Sequence, residues 1–451
     1  MALLFEDVRS TENLFSAWRH VKRSALNSKN TKIRGQAAEF KHNHHRHIKR
    51  IAAQLRKARF IFGDVEGVLK DKKKREAAGK SPRPVAIPSI ESRVVQRAIL
   101  QVLQPRTAND EYDINTKHKP VEDPRLGKLN QVNCSRFGVG GLMSPYGGVQ
   151  PAIKLIMKAM SGGASYYYQS DIKEFFTRIP TANVVATVLN ETRDEKLAGL
   201  FERGLEVNLA NKDELLSYAS IFPSGGIGVA QGSSLSAFAG NVLLYDFDHE
   251  LNRMGVTAVR YIDDLLIVSP SKALLEDAIA FSEAHLGSIG FLLYPPVPGS
   301  DKASQGECKN AFKFLGCTVQ PNRCVPSKQS NAKLNEEVNK VISASKMGII
   351  DLLSKRKPLD PKLSQSAVLH VLGKKIYGWE KSFAFCTDSQ EFRQLDTEIV
   401  LKVSNYENWI RRKTKSLSAK ERMEVLGIPS AERLFEKDTK QRRSSVMPPS
   451  S

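Results

Sequence analysis

Apolar positions early in the chain recur every three or four residues: Leu14, Phe15, Trp18 and Val21, then Ile48, Ile51, Ala52 and Leu55. That is the period of amphipathic helices. Arg83-Pro84-Val85-Ala86-Ile87-Pro88 breaks the rhythm, and its prolines predict a short extended segment. Another helix is predicted on Val94, Val95, Ala98, Ile99, Val102 and Leu103, ending before Pro105. Tyr166-Tyr167-Tyr168-Gln169-Ser170-Asp171-Ile172 reads as a strand with an acid near its end. Leu235, Phe238, Ala239, Val242, Leu243 and Asp246 predict a helix behind a Gly/Ser loop, with Ser233 or Ser234 as its cap. Further on, 274–286 reads as helix and 312–319 as a hairpin. Leu334, Val338, Val341 and Ile342 mark a long helix, and 367–379 another.

The chain is organised around Val259-Arg260-Tyr261-Ile262-Asp263-Asp264-Leu265-Leu266-Ile267-Val268. Two β-favouring runs flank adjacent carboxylates, which predicts a hairpin with acids at its tip. An Asp-Asp turn whose side chains cap their own backbone is the plainer reading. Like charges at the end of buried strands instead invite a divalent cation, and the rest of the chain has to decide.

The 451 residues suffice for two or three domains. A hydrophobic fraction of 41% with 26% charged residues suits an ordinary globular protein. No apolar run approaches the roughly 20 residues that span a bilayer, so no membrane partner is expected. Lys+Arg number 68 against 48 Asp+Glu, a net +20, which favours a polyanionic partner, nucleic acid before membrane surface. Residues 1–80 hold 20 Lys/Arg against 8 Asp/Glu, so twelve of the twenty net charges lie there. His42, His44, His45 and His47 alternate with Lys41, Arg46, Lys49 and Arg50, a polar face for phosphate rather than a metal site. Lys72-Lys73-Lys74-Arg75 ahead of Gly79 reads as a mobile basic loop. Five cysteines without a CxxC pair argue for reduced thiols and a cytoplasmic location. Cys308, Cys317 and Cys324, with no histidine at ligand spacing, read as plain thiols rather than a zinc site.

Taken together, Asp171, Gln231-Gly232 and Tyr261-Ile262-Asp263-Asp264 stand in the order and roughly the spacing found in reverse transcriptases. The chain resembles the bacterial group related to group II intron proteins over about residues 80–400. Arg83 to Pro88 with Arg93 to Ile99 looks like that group's first fingers motifs. Asp171-Ile172-Lys173-Glu174-Phe175-Phe176 looks like palm motif A, Gln231-Gly232 through Ser236, Asn241, Leu244 and Asp248 like motif B, and Tyr261 to Asp264 like motif C. Phe314-Leu315-Gly316 resembles the primer-grip hairpin, and Tyr377-Gly378-Trp379 a thumb motif. Ala230 stands where a proline is usual before Gln-Gly. No endonuclease or maturase extension is recognised after the thumb, and no retron-type Val-Thr-Gly follows the primer grip. What remains resembles stand-alone enzymes, including those of phage defence and abortive infection.

The resemblance implies an α+β right-hand polymerase. Its parts would be a basic helical extension (1–80), fingers and palm with the YIDD hairpin on an antiparallel sheet (81–324), a helical thumb (325–436) and a disordered tail (437–451). The implied reaction is RNA-directed DNA synthesis, with Asp171, Asp263 and Asp264 as catalytic residues. These, with the Ile172 carbonyl, would hold two Mg²⁺ ions, or Mn²⁺ in their place. Arg83 would meet the triphosphate, with Arg93 and Lys80 as lesser candidates. Phe176 would bar a ribose 2′-hydroxyl, whereas Phe175 fits a core position. Gln231, Gly232 and Tyr261 complete the nucleotide site. Expected partners are an RNA template or non-coding RNA, the DNA product and dNTPs, with a second copy of the chain left open. Two alternatives stay open: DNA synthesis without a template at the same site, and an RNA-binding splicing cofactor of maturase type.

Overall fold

A computed structural model describes residues 3–107 and 119–439, other than Lys29, Ala78, Arg356, Lys357, Arg433 and Lys437. The tail expected from residue 437 lies almost wholly outside the described residues. Two compact units are present, Met1–Asn310 and Ala311–Ser451.

The first unit begins with helices α1 (Leu4–Arg9), α2 (Thr11–Leu26), α3 (Thr31–His42) and α4 (His44–Arg56). Their apolar stripes, including Leu14, Trp18, Val21, Ile48 and Ile51, are buried. Strands β1 (Glu66–Lys70) and β2 (Arg83–Ile87) pair antiparallel, with Lys70 opposite Arg83, and α5 (Lys72–Glu76) lies between them. The run expected to be a mobile basic loop is therefore partly helical; a backbone hydrogen bond from Arg75 to the Asp71 carbonyl (2.9 Å) begins it. Helix α6 (Ile90–Leu103) is almost wholly buried, because α1, α2, α3 and α11 (Glu195–Leu205) surround it. The basic N-terminal segment thus shares one apolar core with α6 and the segments that follow. Of its histidines, His45 sits 4.9 Å from the Phe15 ring and His47 stacks on Phe40 at 4.6 Å. Part of the face expected for phosphate is therefore used within the protein.

After α7 (Leu129–Asn133) and α8 (Val149–Ser161) comes β3 (Tyr166–Asp171), then the short α9 (Phe175–Arg178) and α10 (Thr181–Thr192). Past α11 and α12 (Lys212–Leu215), the long α13 (Ser236–Arg253) leads into β4 (Thr257–Tyr261) and β5 (Asp264–Ser269), the predicted hairpin. The cap of α13 differs from expectation. Leu235 occupies the N-cap without a side-chain bond, and the Ser236 hydroxyl donates to the Ala230 carbonyl at 2.7 Å. Helix α14 (Lys272–Ser288) and β6 (Ala303–Glu307) complete a four-stranded antiparallel sheet of order β4-β5-β3-β6. Helices α8 and α13 lie on β4, and α14 covers β5 and β3. Residues Leu265–Ser269 of β5 are buried without alternation, as a strand covered on both faces must be.

The second unit opens with a three-stranded meander, β7 (Phe312–Phe314), β8 (Cys317–Gln320) and β9 (Arg323–Pro326). Helices α15 (Lys328–Lys355), α16 (Gln365–Phe383), α17 (Gln390–Lys413) and α18 (Ala419–Leu426) follow, around a core that includes Leu334, Val338, Leu372, Ile399 and Tyr406. Tyr377 is exposed, while Trp379 packs 5.0 Å from Phe383 and 5.4 Å from Phe392. Cys308 belongs to the first unit, following β6 with its N–H bonded to the Ser165 carbonyl, whereas Cys317 and Cys324 belong to the second. Cys386 joins them instead. Among the described residues, no helix is long and apolar enough to cross a membrane.

Candidate active site

At the tip of the β4–β5 hairpin, Tyr261 pairs with Asp264, leaving Ile262 and Asp263 as a two-residue turn. Ile262 has φ 62°, a left-handed conformation that costs a β-branched residue about 1–3 kcal/mol. The surroundings over-determine it. The buried Arg260 guanidinium donates to the Ile262 carbonyl (3.0 Å) and makes two bonds to Asp248 of α13 (2.9 and 2.6 Å). Asn241, also on α13, donates to the Gly140 carbonyl (2.7 Å). Gly140 backs the turn so closely that a Cβ there would strike the Ile262 backbone nitrogen. One helix therefore braces both the turn and the loop behind it.

Asp171 ends β3 directly opposite Asp264, and the Ile172 N–H donates to the Asp263 carbonyl at 2.8 Å. The structure thus brings together Asp171, Ile172, Asp263 and Asp264, predicted from stretches far apart in sequence. Burial first, and then the Asp264 charge, push the Asp263 carboxyl up to about 6; a backbone hydrogen bond and then the Arg83 and Arg260 charges pull the other way. Burial likewise pushes Asp264 upward. Asp171 is ion-paired with the Lys302 ammonium. Burial, then the charges of Arg83, Lys80 and Arg75, hold Lys302 below the usual lysine range. Three carboxylates thus face a group of cations.

The Gly/Ser loop closes the site from another side. Its Val229 N–H donates to the Phe176 carbonyl and its Gly228 N–H to the Ile179 carbonyl, each at 2.7 Å. The Gln231 carbonyl accepts from the Ala86 N–H of β2 (3.2 Å). Gly232 has φ 117°, and a Cβ there would lie 3.2 Å from the Ala86 carbonyl oxygen; a side chain at that conformation is strained. Gln231 and Gly232 are therefore pinned beside the strand that carries Arg83. Phe175 is buried against Phe291 and Gly240, in keeping with its core reading, while Phe176 is only partly buried.

Of the lesser candidates, Lys80 joins this group, paired with Asp301 at 2.8 Å. Arg93 does not: it reaches Ser24 of α2 at 3.0 Å. It belongs to a second basic group with Arg23, Arg97, Arg106 and His20. Desolvation, then the charges of Arg97, Arg106, Arg23 and Arg93, hold the His20 imidazole near 4.

Sequence reasoning missed Lys302, which has no local motif, and the bracing role of Arg260. An arginine amid the apolar residues of β4 was the available signal, since a buried guanidinium needs a partner.

A family model described as reverse transcriptase (RNA-dependent DNA polymerase) matches residues 70–319. No curated protein matches the sequence. Among solved structures, the chain is similar to one in a partial Cas6-RT-Cas1–Cas2 complex (20% identity, TM-score 0.34), covering 64% of this chain and 42% of that one. It is also similar to a chain of a Cas6-RT-Cas1–Cas2 complex (14%, TM-score 0.34; 88% and 50% covered). Apo telomerase from Candida tropicalis is a further match (10%, TM-score 0.42; 81% and 69% covered). The chain spans half or less of the length of the first two. The match over 70–319 is more than half of the chain, and the chain belongs to the reverse transcriptase family.

Proposed function

We propose that the chain is an RNA-directed DNA polymerase whose chemistry is carried by Asp171, Asp263 and Asp264. The supporting observation is the juxtaposition of Asp171 and Asp264 as cross-strand partners, with Asp263 beside them at the turn. Their donor set suits a hard divalent cation, since only oxygen ligands converge and Asp263 is pushed upward by burial and then by its neighbour's charge. Bound Mg²⁺, or Mn²⁺ in its place, supplies the charge that stabilises the attacking and leaving oxygens of nucleotidyl transfer. The three carboxylates, with the Ile172 carbonyl, are the ligands proposed.

The chain's own groups do the rest. Arg83, supported by Lys80 and Lys302, draws the triphosphate into the cationic side of the site, where a guanidinium fork suits phosphate oxygens. Gln231 and Gly232 give the incoming base a close-lying backbone floor, and Tyr261 flanks the nucleotide at the turn. Phe176 presents its ring to the sugar and bars a 2′-hydroxyl. The arginine group around His20 takes RNA phosphate; what supports this is that Arg97, Arg106, Arg23 and Arg93 all act on that one imidazole. On this reading 81–324 is fingers and palm, 325–436 thumb and 1–80 a basic extension. The two compact units divide after Asn310, ahead of the 312–326 meander rather than at 324.

The decisive experiment is dNTP incorporation on a primed RNA template by the purified chain. Asp171→Ala and the Asp263→Ala/Asp264→Ala double variant should abolish it and leave RNA binding intact; normal synthesis by the double variant would sink the reading. The resemblance to stand-alone defence enzymes extends the proposal to antiphage activity served by a dedicated non-coding RNA. Sequencing DNA made with the co-purifying RNA tests this. A complementary copy supports it, and a homopolymer points to synthesis without a template.

A further inference from the structure

Three of the five cysteines converge in the second unit. Cys317 opens β8 opposite Pro326, and Cys324 on β9 stands opposite Val319. The two are diagonal neighbours whose side chains share one face of the meander. Both are fully buried. Cys386 comes from the connection between α16 and α17. Backbone bonds fix that connection onto β9: the Thr387 N–H donates to the Cys324 carbonyl (2.9 Å), and the Cys324 N–H to the Thr387 hydroxyl (2.8 Å). Arg323 pairs with Asp388 at 3.0 Å one step further on. The three Sγ atoms all lie within 4.8 Å of one another, and those of Cys324 and Cys386 are 3.9 Å apart.

We propose that Cys317, Cys324 and Cys386 form a three-thiolate site for a soft, thiophilic d¹⁰ ion, Zn²⁺ foremost. A tetrahedral centre with metal–sulfur bonds of about 2.3 Å has sulfur–sulfur edges of about 3.8 Å. The Cys324–Cys386 separation already matches that edge, and the remaining contraction is at most about 1 Å. The ligand set is pure sulfur, which selects zinc and softer ions over the magnesium expected at the carboxylates. A disulfide would use two sulfurs at about 2.05 Å and strand the third, whereas one ion uses all three and keeps a fourth position for water or another ligand. The ion would staple the β8–β9 hairpin to the α16–α17 connection. No one stretch of sequence shows this, because Cys386 lies 62 residues from Cys324.

The full chain, purified under reductant, stripped with chelator and reloaded with one equivalent of Zn²⁺ or Cd²⁺, tests the assignment. Native mass spectrometry should find one ion per chain. Cd²⁺ should produce a thiolate charge-transfer band, which ions on carboxylates do not give, and Zn²⁺ should raise the thermal midpoint by several degrees. The band should vanish in Cys317→Ser, Cys324→Ser and Cys386→Ser, each checked for folding by circular dichroism. It should persist in Cys134→Ser, Cys308→Ser and the Asp263→Ala/Asp264→Ala variant, which keeps this test separate from that of polymerase chemistry. Absence of the band in the wild-type chain overturns the site, as does its persistence in the triple cysteine variant. A Cys324–Cys386 disulfide surviving under reductant also overturns it.

Discussion

Arg260 and Asp248, twelve residues apart and both buried, share two hydrogen bonds that tie the β4–β5 hairpin to α13. The remaining guanidinium nitrogen holds the Ile262 carbonyl. The pair therefore couples the packing of a helix to the conformation of the turn between the proposed metal-binding strands. Breaking a buried pair from one side leaves an uncompensated charge, at a cost of about 3–5 kcal/mol. Asp248→Ala should lose that much in urea unfolding. An Arg260→Met/Asp248→Leu double variant should recover much of the stability yet stay inactive, because nothing then holds the turn. Full synthesis by the double variant would show that the pair serves stability alone.

The pH behaviour of Asp263 follows from its raised pKa. Its folded value of about 6 lies above the unfolded value of about 3.9. Stability from the protonated carboxyl is fully present below about 3.9 and is lost as pH rises through 6. In chelator, Asp263→Asn should stabilise the chain by about 1–3 kcal/mol at pH 7.5 and by little at pH 4. Mg²⁺ should narrow the gap at the higher pH by stabilising the wild type alone. Equal stability of both proteins at pH 7.5 in chelator would remove the electrostatic basis of the metal proposal.

Lys302 is ion-paired with Asp171, where it would compete with a bound cation, and it adds charge beside Arg83. Lys302→Met should therefore lower the Mg²⁺ concentration needed for half-maximal synthesis. It should also raise the KM for dNTP about tenfold, the loss of one charge-assisted hydrogen bond of ~1.5 kcal/mol. A rise in KM without a change in metal requirement would confine Lys302 to the nucleotide.

Phe176→Ala should admit ribonucleotides, lowering the deoxy-over-ribo preference in kcat/KM on the order of tenfold or more. Unchanged discrimination would return Phe176 to a packing role like that of Phe175.

Salt dependence should report the arginine group. Arg97→Ala and Arg106→Ala should each weaken RNA binding and reduce the slope of log affinity against log salt by about one. Bound phosphate should also raise His20 from near 4, because it offsets the arginines that suppress its protonation. Without RNA, the neutral imidazole makes the fold lose stability as pH falls from 6.5 towards 4. An unmoved His20 resonance on RNA binding would place the RNA elsewhere.

Much of this was legible in the sequence, for identifiable reasons. The hairpin was, because strand runs around adjacent acids are a local signal; β2 and α6 were marked by prolines and periodicity, and β3 by its run of β-favouring aromatics. The cap of α13 was misjudged because a serine before a helix is ambiguous when the loop itself supplies the first bonds. What stayed hidden was pairing at a distance: Lys302 on Asp171, Arg260 on Asp248, and Cys386 joining Cys317 and Cys324. Such partners leave no periodicity, since only the folded sheet and the docked connection bring them together.

The strand order β4-β5-β3-β6 has a consequence for how the protein is made. Strand β3, with its three consecutive tyrosines and Asp171, has both of its neighbours far downstream in the chain. As the polypeptide leaves the ribosome, that strand emerges with two open edges and must wait for β5 and then β6. Unpaired strand edges are templates for association with other chains. A ribosome stalled before Ala303 would therefore hold a nascent chain that is sticky as well as inactive, and chaperone capture should be strongest in that interval of synthesis.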